Sequence, residues 1–118
     1  MTENPAVSRI MRDIHQRITE AQDVVVASRD GLPLASTTSD ERAERVSAMA
    51  ASVLALSVQA LDGDETGHAV IRGDRGCLVV HHAGPDALLA VHTGAAPNMG
   101  LVQVEVPLAA TDLETALD

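Results

Sequence analysis

Apolar residues open the chain at three- and four-residue steps: Val7, Ile10, Met11, Ile14 and Ile18. Arg9, Arg12, Asp13, Gln16 and Arg17 fill the positions between them. This period predicts an amphipathic helix over residues 1–20. Asn4 is its expected N-cap and Pro5 its first helical residue. Residues 23–28 (Asp-Val-Val-Val-Ala-Ser) then form a short β-rich run. Arg29 to Pro33 break it, and Asp30-Gly31 ahead of another apolar residue signals a hairpin. Leu34-Ala35-Ser36 is the expected return strand.

Residues 40–61 carry the most regular pattern and predict a long helix. Thr38 with Glu41 three residues on fits a capping box, and Asp40 is a competing N-cap. At about 100° per residue, Val46, Met49, Val53, Leu56 and Ala60 fall in one sector. Ala50, Leu54, Val58 and Leu61 extend that sector to roughly 200°, about twice the minimum stripe that faces a core. Glu41, Glu44, Arg45, Ser52 and Gln59 make up the narrow polar remainder. One packing partner does not cover so wide an arc. Two do: the chain's own sheet and a second molecule. Val46, Met49, Ala50, Val53, Leu54, Leu56 and Ala60 are therefore the candidate dimer or partner interface, with the inward side of the arc left open.

An acidic loop follows at residues 62–67. His68–Gly73, Cys77–His82 and Ala87–Thr93 read as three strands joined by tight turns at residues 73–76 and 83–86, an antiparallel meander. After a loop at residues 94–97, Asn98 is placed to cap a helix reaching about Val106. The alternation of Val102, Val104 and Val106 is also compatible with a strand. Pro107 breaks either element or starts another helix, and Leu113, Glu114 and Leu117 fit a helical tail. The expected fold is α+β: a five-stranded antiparallel sheet sandwiched by helices, in the order α-β-β-α-β-β-β-α, as one domain over residues 1–118.

Composition narrows the function. Seventeen acidic residues against eight basic ones give a formal net charge of −9. Such a surface repels a phosphate backbone, and without Phe, Tyr or Trp it has no platform on which bases stack. Lysine is absent, which removes Schiff-base chemistry and the P-loop lysine. No apolar run approaches the ~20 residues of a membrane span, and no secretory signal opens the sequence. With one cysteine, Cys77, no internal disulfide forms. These features fit a cytoplasmic protein.

Candidate chemistry is sparse. If the second and third meander strands pair around Gly84-Pro85, Cys77 lies opposite His92 on one face, as in a zinc site or an activated thiol. A structural zinc takes four ligands, and His81 and His82 lie too far along or on the other face. A buried thiol beside a sheet histidine is the plainer reading. His15 lies on the first helix between apolar Ile14 and polar Gln16, at the boundary of its surface, and His68 starts a strand beside Asp64 and Glu65 of the acidic loop. Residues 62–65 resemble a calcium loop only in part and lack the closing glutamate. Gly73-Asp74-Arg75-Gly76 lacks the helix that a phosphate site needs. No catalytic, cofactor-binding or metal-binding residue is expected.

The stretch Val24-Val-Val-Ala-Ser-Arg-Asp-Gly-Leu-Pro-Leu-Ala35 resembles the start of a bacterial roadblock / dynein light chain domain. The helix around Met49-Ala50-Ala51, the turn and strand Gly73–Val80, Asp86–Val91 and Asn98–Val102 are similar to that family's later elements. Five such stretches, in order and at matching spacing, cover about residues 5–106. The resemblance implies a profilin-like or longin-like fold and a homodimer formed through the second helix and third strand. It also implies service to a small Ras-like GTPase, as in MglB-like members, and in the actinomycete type the company of a sensor-kinase-like protein. The Arg-only, Ala/Val-rich composition fits a GC-rich genome. Pro107 departs from the family pattern and puts the last helix in question. The expected function is a non-enzymatic homodimeric adaptor of a small GTPase. Arg29, Arg42, Arg45 and Arg75 are the arginines positioned to be weighed as a finger. The alternatives are a small-ligand sensor module and an enzyme using Cys77 and His92.

Overall fold

The structure, a computed structural model, describes residues 4–63 and 67–118. The expected helical start at residues 1–3, and the pairing of His68 with Asp64 or Glu65, lie outside that range, as does the second half of the calcium-like stretch. The element order matches expectation: α1 (Pro5–Arg17), β1 (Ala21–Ser28), β2 (Pro33–Ser36), α2 (Asp40–Ala60), β3 (His68–Arg72), β4 (Gly76–His82), β5 (Ala87–Gly94) and α3 (Met99–Leu117). The strands form one antiparallel sheet in the order β2-β1-β5-β4-β3. β2 and β3 are thus its edges.

Side-chain alternation along two of the three inner strands, β1 and β5, divides the core. Val24 and Val26 of β1, with Leu89 and Val91 of β5, meet α1 and α3 on one face. Val25 and Ala27, with Leu88 and Ala90, meet α2 on the other. Both strands are covered on both faces, which is why each reads as a nearly unbroken apolar run. α1 contributes Val7, Met11 and Ile14, and α3 contributes Val102, Val106, Ala109, Ala110 and Leu113.

The caps follow local chemistry. Asn4 Oδ1 accepts the backbone N–H groups of Ala6 and Val7, as expected. At α2 the N-cap is Ser39, whose Oγ accepts the Arg42 N–H, and not Thr38 or Asp40. Asp40 and Glu41 instead occupy the first turn, where the helix dipole favours negative charge. α3 runs unbroken through Pro107, so the expected break there is corrected. An interior proline costs about 3 kcal/mol. Burying Val102, Val106 and Leu113 contributes roughly 1.5–3 kcal/mol each, which outweighs it.

Gly31 shows how the hairpin meets α2. Its φ is +90°, and a Cβ there would lie 3.3 Å from Ala48 Cα and 3.4 Å from Ala51 Cβ. Gly31→Ala is expected to destabilise the fold by about 1–3 kcal/mol, from left-handed backbone strain and crowding against the helix. Urea unfolding followed by circular dichroism measures it. An unchanged midpoint would mean that the hairpin is not pressed against α2.

Candidate functional site

The arc on α2 divides into two parts. Val46, Ala50 and Leu54 are buried against this chain's own sheet. Met49 is 47% exposed and Leu56 63% exposed; Val53 is half-buried and Ala60 exposed. The seven candidate interface residues therefore do not share one surface. The inward three support α2, and the outward four remain available.

On the flank facing the sheet edge, Met49 and Val53 continue onto Ile71 of β3 and Leu78 of β4. Together with Ala48 and Ser52 they line one shallow apolar hollow. Ile71 is 47% exposed. It lies on an edge strand whose outer backbone groups have no neighbouring strand in the sheet. An apolar helix flank beside an open strand edge is a template for pairing with another chain.

A polar cluster anchors the start of α2. Asp23 stands in β1 and is 9% exposed. Its Oδ2 accepts from Arg42 Nε at 2.8 Å and lies 3.1 Å from His92 Nδ1. Arg42 comes from the first turn of α2 and His92 from β5, so three elements converge on one carboxylate. The Arg42 guanidinium also approaches His92 Nδ1, at 3.4 Å. One nitrogen cannot donate to Asp23 and accept from Arg42 at once. The carboxylate is the stronger acceptor, so Nδ1–H donates to it. Burial pushes the Asp23 carboxyl up, but hydrogen bonds from Arg42, Thr38 and His92, together with the Arg42 charge, hold it below its ordinary value.

This direction fixes the pH dependence. Where the folded pKa is below the unfolded one, the unfolded state binds more protons as pH falls. The stabilisation is fully present above the ordinary aspartate value of 3.8 and is lost as pH drops through the folded value. Arg42's side chain is 37% exposed, so solvent screens part of its share. Asp23→Asn is expected to cost about 1–2 kcal/mol at neutral pH and to flatten the acid limb of the stability profile. Acid limbs of equal slope in the variant and the wild type would contradict this.

The Cys77–His92 pairing is corrected. Cys77 lies opposite Thr93, and His92 lies opposite Leu78. The β4–β5 hairpin turns through Gly84, Pro85 and Asp86, with Ala83 N–H bonded to Ala87 O at 2.9 Å. A four-residue turn over 83–86 would put Cys77 and His92 together; the shorter turn shifts the register by one residue and sends them to opposite faces. Cys77 is buried near Met99, with its Sγ 4.0 Å from the Met99 sulfur. Among the described residues, no three His, Cys, Asp or Glu side chains are grouped to hold a metal ion. His81 stacks on His68 with ring centroids 5.6 Å apart. Of the weighed arginines, Arg42 is held by Asp23, and Arg29 donates to the Pro85 carbonyl at 3.0 Å.

Residues 12–93 match the model of the Roadblock/LC7 domain. The chain belongs to the Roadblock/LC7 family. Solved structures agree on the fold. The Roadblock/LC7 domain from Streptomyces avermitilis superposes with a TM-score of 0.86 at 24% identity, covering 92% of this chain and 95% of that one. The gliding protein MglB of Thermus thermophilus gives 0.84 at 19% identity, over 96% and 89%. A structure described as MglB with a tetrameric arrangement gives 0.84 at 21% identity, over 96% and 88%. No curated protein sequence matches significantly. In this roadblock domain, no helix among the described residues is long and apolar enough to cross a membrane.

Proposed function

We propose that this roadblock domain is a non-enzymatic homodimeric adaptor that binds and regulates a small Ras-like GTPase in a bacterial signalling complex. One observation carries the reading: the apolar flank of Met49 and Val53, continued by Ile71 and Leu78, beside the open edge of β3. Two copies related by a two-fold axis bring their β3 edges together, extend the sheet across the axis and lay one α2 beside the other. Backbone hydrogen bonds then take up the edge groups, and the helix flanks cover each other.

The MglB likeness supports the GTPase partner, and the tetrameric arrangement of one MglB structure supports self-association in proteins of this shape. The adaptor reading assigns no catalytic residue. Arg42 is held by Asp23, and by family likeness stimulation of GTP hydrolysis proceeds by repositioning the GTPase's own groups. A sensor-kinase-like protein is the further partner of the same complex.

Light scattering with refractive-index detection tests the dimer, since a chain without Trp or Tyr scarcely absorbs at 280 nm. The reading requires a particle of at least twice the 12.3 kDa chain mass at micromolar concentration. A single-chain mass there would refute it.

A further inference from the structure

On the opposite face of the sheet from α2, α1 and α3 lie side by side. α3 is apolar nearly all round, and its only charged residues are Glu105, Asp112 and Glu114. A helix of that kind is normally covered on every side. Here the inner side is covered and the outer side is not. Val104 is 57% and Leu108 55% exposed, and Leu101 is half-buried. At about 100° per residue these three fall within about 60° of one another, a stripe directed away from the sheet.

Beside the stripe, a crevice of about 60 Å³ opens between the two helices. Ile10 of α1 and Leu108 of α3 wall it, and the short side chain of Ala109 leaves it open. That volume is far below the roughly 300 Å³ of small-ligand pockets and suits one aliphatic side chain. The rim is acidic, with Asp13, Glu105 and Asp112 all bordering the crevice. Arg17 is the one cation that lines it among the described residues. It lies 3.2 Å from Glu105 with its side chain 61% exposed, so it neutralises that carboxylate only weakly. Asp13 and Asp112 form no ion pair among the described residues.

We propose that the α1–α3 face docks an amphipathic helix of a partner protein, one that carries Lys or Arg beside its apolar stripe. One apolar side chain of that helix enters the crevice, its neighbours lie along Leu101, Val104 and Leu108, and its cations meet Asp13 and Asp112. This is helix-in-groove recognition, in which side chains at three- and four-residue steps supply the anchors. Charge selects the occupant. The chain as a whole stands at −9 and draws cationic partners toward it. The same charges disfavour a second copy, because a two-fold axis here would set Asp13 and Asp112 against the like-charged groove of the other chain. The face lies across the sheet from Met49 and Val53, so this inference stands apart from the adaptor reading.

The test is titration of the full chain with a synthetic Leu/Lys peptide, followed by amide chemical shifts. The peptide has about 18 residues, close to the length of α3, with leucines at three- and four-residue steps. The comparisons are a scrambled peptide of the same composition without the stripe, and a Leu/Glu peptide with it. The expected dissociation constant is about 10–100 μM for the Leu/Lys peptide and at least about tenfold weaker for both comparisons. The shift changes should centre on Ile10, Val104 and Leu108. Leu108→Gln, and Asp13→Asn combined with Asp112→Asn, should each weaken binding by about fivefold or more. Leu32→Gln, at the 65% exposed hairpin tip, should leave it unchanged. The same spectra check that each variant is folded. Absence of binding at millimolar peptide, shift changes centred on α2 and β3, equal affinity for either comparison peptide, or affinity unchanged in both α1–α3 variants would each overturn the proposal. So would a particle mass that falls on Leu108→Gln without peptide, because the occupant would then be a second copy.

Discussion

Met49→Glu is expected to reduce the particle in solution to a single chain. The side chain is 47% exposed on the free chain, so the substitution leaves the monomer's stability within about 0.5 kcal/mol. In a two-fold interface the new carboxylate is buried twice, against the apolar surface of Val53, Ile71 and Leu78. Central interface residues are worth about 2–4 kcal/mol, which corresponds to a roughly 30- to 1000-fold rise in the dimer dissociation constant. Val104→Glu supplies the comparison. Val104 is 57% exposed on α3, on the opposite face of the sheet from α2, and its replacement should leave the mass unchanged. If Met49→Glu remained as large as the wild type while Val104→Glu fell apart, the interface would have to move to α3.

Leu89→Ala should produce the largest loss of stability among single truncations of this kind. Leu89 lies in β5, the central strand, is fully buried, and packs with the residues of α1 and α3. Its removal leaves a cavity in a core that has no aromatic side chain to collapse into it. The expected cost is about 3–5 kcal/mol, a large fraction of the roughly 5–15 kcal/mol by which domains are stable. Leu32→Ala removes the same atoms from a 65% exposed hairpin tip and should change stability by no more than about 0.5 kcal/mol. Chemical denaturation followed at 222 nm compares them. Equal midpoints for the two variants would mean that β5 is not the packed centre of the sheet.

The periodicity of the chain made most of this fold legible. α1, β1 and the three meander strands lie within a few residues of where the alternation and turn residues place them, because each has a periodic pattern or a strong break of its own. Pro107 and the Cys77–His92 pairing were misread because they depend on competition between local and distant interactions. Pro107 is a helix breaker by local chemistry, yet the five buried residues of α3 hold the helix through it. The Cys77–His92 pairing assumed four turn residues where the chain uses three, and one residue is enough to send a side chain to the other face.

The candidate site was legible in part. The width of the apolar arc on α2 pointed to a second packing partner. It did not tell which side faces the sheet, since Val46 and Met49 are equally apolar and only tertiary packing separates them. The Asp23–Arg42–His92 cluster was missed, its members lying 19 and 69 positions apart along the chain. One signal was available. Asp23 opens a run of three valines that predicts a fully buried strand, and a carboxylate there requires a cationic or hydrogen-bonding partner. Arg42, at the start of the helix that covers that strand, supplies it.

The most direct test of the adaptor account is nucleotide-dependent capture. The immobilised chain is incubated with lysate of its own source cell, once with GDP and once with a non-hydrolysable GTP analogue, and the bound proteins are identified by mass spectrometry. The account predicts that a small Ras-like GTPase is retained, and retained preferentially in one nucleotide state. Absence of any such GTPase under both conditions would contradict it.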